Sequence, residues 1–163
     1  MNREDTTPTA LLQLVRQRLI DQLGLDEGRC FIGWTPRNPL RIPRGGQWFL
    51  AVCPAGGVFE PGEQCPAQLT ENWQFDVAIY LRSNLDRPDE IVTALLGEQR
   101  GLYAIKKQVL AALVGHDFGT GQRATVTCRR ATAPEPVESA GQPQITLWLL
   151  VLSFELPFDW ALQ

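Results

Sequence analysis

Apolar and polar positions follow two rhythms along the chain. Between residues 8 and 23, Leu11, Leu12, Val15, Leu19 and Leu23 recur at helical spacing. Thr7 can cap this helix, Pro8 suits its first position, and Gly24 can close it left-handed with Leu25 folding back. Arg16, Gln17 and Arg18 read as its wet flank. The same spacing returns in Leu102, Ile105, Val109, Ala112 and Leu113, with Lys106 and Lys107 facing away and Gly115 as the stop. Ahead of it, Asp86-Arg87-Pro88-Asp89-Glu90 is a helix-start signal leading into Ile91, Val92, Leu95 and Leu96. Gly97 and Gly101 divide the two helical stretches.

The second rhythm is alternation. In residues 72–82, Trp73, Phe75, Val77, Ile79 and Leu81 share one face, while Gln74, Asp76, Tyr80 and Arg82 share the other with Ala78 between them. Such a strand is about 36 Å long, with one face for helices and one for water or a polar surface. Residues 30–34 read as a short strand, and 47–53 as a strand buried on both faces. Residues 122–130 and 145–154 supply two more.

The last strand does not fit a sheet covered on one side only. Leu147, Leu149 and Val151 fall on one face, and Trp148, Leu150, Leu152 and Phe154 on the other. A single helix layer covers only one of these. Four large side chains left in water would form a patch of several hundred Å², the size that marks a contact surface. The tail that follows, with Phe158 and Trp160, either folds over this sheet or docks on another subunit. Trp148, Leu150, Leu152, Phe158 and Trp160, together with Phe59, are therefore the expected partner interface.

Three stretches rich in Pro and Gly read as loops: 35–46, 54–71 and 131–143. The first holds Arg37, Arg41 and Arg44 and no acid, so it is either a basic contact arm or a solvated loop. The second, carrying Phe59, is longer than most connections and of a length used for contacts. The third reads as an excursion reaching toward a neighbour.

Composition narrows the classes. With 163 residues, 44% hydrophobic, 20% charged and net charge −3, the chain suits one folded domain over residues 1–163. It is neither a disordered tail nor a basic nucleic-acid wrapper. No run approaches the ~20 apolar residues of a membrane span, and the opening residues lack the apolar stretch of a signal peptide. The expectation is a chain made in the cytoplasm.

Candidate chemistry is sparse. Cys30, Cys53, Cys65 and Cys128 show no C-x-x-C spacing and read as free thiols, with a Cys53–Cys65 bridge as the alternative. His116, after Gly115, sits where a cation suits a helix C-terminus, and no motif supplies it with a nucleophile. Asp117-Phe118-Gly119 spells the kinase metal-binding tripeptide without its glycine-rich loop, strand lysine or catalytic loop. No catalytic residue, metal ligand or cofactor is expected, and an enzyme whose carboxylates converge from distant positions is the remote alternative.

The order of elements, with the opening helix 11–23, the strand Phe75-Asp76-Val77-Ala78-Ile79-Tyr80-Leu81-Arg82, the acid-led helix ending in Gly101-Leu102-Tyr103-Ala104-Ile105 and the final strand 147–154, resembles the tail terminator or tail-completion proteins of tailed bacteriophages. That resemblance covers most of the chain as a pattern of elements. It implies a small α+β subunit, a mostly antiparallel sheet with helices packed on one face and long loops extending from it, that assembles into a ring, usually six-fold, which caps the tail tube and joins it to the head-side connector, without a cofactor. The implied partners are other copies of the chain, the tail tube protein and the head-side neck protein, with DNA only as passing cargo and no membrane. The implied location is the virion, assembled in the host cytoplasm. The 54–71 and 131–143 stretches depart from smaller members, which keeps a neck, head-closure or baseplate component as the alternative.

Overall fold

The computed structural model describes residues 7–43, 46–59, 68–83, 101–118, 125–137 and 146–161. Helix α1 (Pro8–Leu23) opens where the sequence places it: Thr7 Oγ1 accepts from the Ala10 N–H at 3.2 Å, and Gly24, at φ 61, closes the helix by donating to the Ile20 carbonyl. A 3-10 turn (Glu27–Arg29) leads into strand β1 (Cys30–Ile32). Strands β2 (Trp48–Phe59) and β3 (Gln68–Ser83) follow, then helix α2 (Leu102–Leu113). Strands β4 (Thr127–Ala131), β5 (Glu135–Val137) and β6 (Thr146–Ala161) complete the order. The expected helix over 89–96 lies outside the described residues.

The fold is α+β. One sheet of six strands runs β1-β2-β3-β6-β4, with β5 also paired to β6. Every pairing is antiparallel except β1 with β2, which is parallel. Among the described residues no helix is long and apolar enough to cross a membrane.

Strands are longer than the sequence suggests. Residues 54–71 are not one loop: β2 continues to Phe59 and β3 begins at Gln68. A register shift between Pro54 and Gly56, with Gly56 at φ 84, absorbs the Pro-Ala-Gly-Gly sequence that reads as a loop. The tail neither folds over the sheet nor leaves it. It prolongs β6, and β3 pairs with it from Trp73–Leu156 out to Gln68–Ala161. Part of the 131–143 excursion is likewise strand, because β5 pairs with residues 147–149.

Both faces of the sheet are covered by this chain. On one, Leu50, Val52, Phe75, Val77, Ile79, Leu150, Leu152 and Phe154 pack with Leu11, Val15 and Leu19 of α1 and Leu102, Ile105 and Val109 of α2. On the other, Phe31, Phe49, Ala51, Cys53, Ala78, Tyr80, Leu147 and Leu149 form a second, smaller core. A strap, residues 33–43, crosses this second face. Gly33 lies so close that a Cβ there would sit 3.1 Å from Cys53 Sγ and 3.3 Å from Ala51 Cβ, and glycine alone gives that approach. The Tyr80 hydroxyl donates to the Pro36 carbonyl, and Arg82 donates to the carbonyls of Pro43 and Gly46 while lying over the Phe49 ring. Val137 of β5 packs against the same core from the far side.

The interface expected on the last strand is corrected by this arrangement. Leu150 and Leu152 are 0% exposed, beneath the helices, and Trp148 packs against the same cluster. The opposite face, Leu147 and Leu149, is sealed as well. Pairing of Leu150 with Ile79 and of Leu152 with Val77 sets the expected interface on the helix side, and the opposite face is covered by a connection rather than by a layer of regular structure.

The flank of α1 is not simply wet. Arg16 donates to the carbonyls of Cys30 and Glu27 at 2.8 and 3.1 Å, and Arg18 donates to that of Ala112 at 2.5 Å. The latter sets a cation on the last turn of α2, where the helix dipole favours it.

Candidate interaction surface

Beyond the ends of β1 and β4, three strand segments (54–59, 68–73 and 156–161) continue as an arm. Trp73 and Leu156 are buried at its base, while residues 54–58 are exposed throughout and Val58 is exposed to 55%. Pairing sets Phe59 and Phe158 on either side of Glu71, and Trp160 two residues further along, opposite Leu69. The structure thus brings three of the six expected interface residues into one arm and places Trp148, Leu150 and Leu152 inside the body. The side chains of Phe59, Phe158 and Trp160 lie outside the described residues.

The strap is the second feature. Trp34, Leu40 and Ile42 are exposed to 63%, 75% and 46%, half of the large exposed hydrophobics among the described residues. Leu40 adopts φ 64, which costs a residue with a Cβ about 1–2 kcal/mol. Its neighbour Pro39 is buried. The strap is fixed from several sides: a Thr35–Asn38 turn with paired backbone bonds of 3.1 Å, the Tyr80 and Arg82 contacts, and Arg37, whose Nη2 lies 2.9 Å from both carboxylate oxygens of Glu135. The arginine loop is therefore partly internal wiring. Arg37 holds β5, Arg41 is exposed, and Arg44 lies outside the described residues. The apolar knobs between the arginines escaped the sequence reading. Their signal was three large apolar residues in a proline-broken stretch too irregular to turn them all inward.

Between strap and β4 lies an open concavity of about 550 Å³. Its floor is a rank across three strands, Asp76, Ser153 and Arg130, with Thr35 and Thr132 on its walls. It is open, and its lining mixes polar groups with Pro36, Pro134 and Val151. Among the described residues no three His, Cys, Asp or Glu side chains gather as a metal site would need.

The remaining candidates are structural. His116 stacks edge-on against Phe118 at 4.6 Å; its carbonyl accepts from the Val126 N–H, and its own N–H donates to the Leu113 carbonyl. Burial holds its pKa below the usual histidine value, helped by Arg18 and opposed by Asp117. Phe118 of the kinase-like tripeptide is buried against the helix-side core. Cys30 and Cys53 are free and buried, so the Cys53–Cys65 bridge is not formed; Cys65 itself lies outside the described residues. Burial pushes both thiols up to about 12, with Asp76 adding to the effect at Cys53. Cys128, half-buried, is raised by burial too.

No protein-family model matches the chain, and no curated protein matches its sequence.

Proposed function

We propose that this protein is a structural component of a tailed-phage virion, a subunit of a ring, hexameric by the resemblance, that caps the tail tube and joins it to the head-side connector. The observation that carries the reading is the arm. It prolongs three strands past the rest of the sheet, is exposed along 54–58, and holds Phe59, Phe158 and Trp160 within a few residues of one another. A ring needs two different patches on each subunit, and the arm and the strap are two such patches. The α+β architecture, with a mostly antiparallel sheet and helices on one face, supports the same reading. The contact surface moves from the face of the last strand, which is core, to the strand ends.

A net charge of −3 suits a channel through which DNA slides, since neutralising phosphates is what makes proteins hold it. The test is electron microscopy and native mass spectrometry of the purified full chain, alone and mixed with tail tubes. Annular particles, or a single disc at one tube end, are expected. Monomers at every concentration that also fail to bind tubes would overturn the reading.

A further inference from the structure

We infer that the strap is the knob of a head-to-tail contact, seated on a second copy of this chain away from that copy's own strap; this rests on the ring reading and specifies its interface. Three observations converge on it. The first is shape: Trp34, Leu40 and Ile42 stand out from a segment whose backbone is held by Tyr80, Arg82 and Glu135 and stiffened by Pro36, Pro39 and Pro43. A backbone that is already held loses little entropy on docking, and a leucine kept at φ 64 while exposed is the kind of outlier that clusters at functional sites.

The second is composition. Exposed Trp and Arg side by side, around apolar neighbours, is the mixture that dominates protein–protein contacts. The third is charge. Residues 33–46 carry three arginines and no acid in a chain of net charge −3, which leaves −6 for the rest of the molecule. A strap meeting a strap across a two-fold axis would set Arg41, which is exposed, against its own copy. A strap meeting the remainder of a neighbour is attracted to it. The contact is therefore heterologous, the type that closes rings.

A protein partner also fits better than the other surfaces that take basic and apolar residues together. Arg37 is already engaged by Glu135, and three apolar knobs gain nothing from a DNA backbone.

Leu40→Asn and Arg41→Glu separate the possibilities. Asn tolerates φ 64, so L40N leaves the fold intact and its melting temperature equal to the wild type's or higher, while removing the most exposed knob. Self-association measured by native mass spectrometry and light scattering should weaken at least tenfold in each variant. If both variants assemble like the wild type, the strap contact is wrong while the ring reading stands. If the wild type stays monomeric at every concentration, the strap contact falls, and tail-tube binding then decides the ring reading separately. Binding of duplex DNA or of anionic phosphatidylglycerol vesicles, lost in both variants and without self-association, would also overturn the proposal.

Discussion

The Tyr80 phenol donates its hydrogen bond to the carbonyl of Pro36, so a side chain in the middle of the sheet holds the centre of a connection 44 residues away. Tyr80 is 1% exposed, stacked on Phe49 at 4.7 Å, and its burial pushes the phenol pKa upward. Tyr80→Phe keeps the ring and deletes the tie. The expected cost is about 0.5–1.5 kcal/mol of stability, together with faster proteolysis in residues 33–43 and no change in far-UV circular dichroism. Unchanged cleavage would mean that the strap is held by Arg82 and Glu135 alone.

Leu150 and Leu152 offer a sharper test, because an outward-facing last strand and the observed core give opposite outcomes. Truncating either to Ala should cost about 2–5 kcal/mol, and Leu150→Asp adds an unpaired buried charge. Against a total stability of about 5–15 kcal/mol for a domain of this kind, the Asp variant should be largely unfolded by circular dichroism. A folded Asp variant that merely fails to assemble would restore the strand face as an interface.

Acid should weaken the fold through His116. Its folded pKa is depressed below the unfolded value, with burial the main cause. Above the unfolded pKa both states are neutral and nothing is lost. As pH falls below it, the unfolded chain takes up a proton that the folded chain resists, so stability declines until the folded pKa is passed. A melting-temperature profile from neutral to mildly acidic pH should therefore be flatter for His116→Gln than for the wild type over that window.

Thiol reactivity should sort by burial. Cys128 is half-buried, whereas Cys30 and Cys53 are fully buried with thiols pushed up to about 12. Among these three, iodoacetamide at mildly alkaline pH should modify Cys128 before Cys30 and Cys53, which it reaches only on unfolding, since the thiolate is the reacting form. Mass mapping of the labelled peptides reads this directly. Early labelling of Cys53 would show the strap opening, because Gly33 lies against its sulfur.

Local rules made α1 and α2 legible. Thr7, Gly24 and the apolar spacing sit within a few residues of one another, and short-range chemistry decides a helix end. The strands were legible in phase but not in length. Pro54, Gly56 and Pro157 all break a strand by propensity, yet each is held in the ladder by a partner in β3, at Phe75, Gln74 and Asn72. Those partners are distant in sequence, and only pairing reveals that they are there. The same holds for the expected interface. Leu150 and Leu152 read as surplus, yet their pairing with Ile79 and Val77 puts them on the face the helices cover, and the surplus face is that of Leu147 and Leu149; that a proline-broken stretch seals it depends on a hydroxyl at Tyr80 and a guanidinium at Arg82, neither of which advertises a cover when read in its own strand.

The parallel pairing of β1 with β2 also governs what can be changed in this molecule. Antiparallel neighbours can be joined by a tight turn, but parallel ones oblige the chain to return to the starting end of the sheet before the next strand begins. Here the return passes over the sheet from Ile32 to Trp48 without a helix. Trimming that passage to a hairpin-sized link would force β1 to reverse or detach, so deletions there should be far less tolerated than in an ordinary surface loop. The bound runs one way: a longer crossing still reaches the far end of the sheet, whereas a shorter one does not.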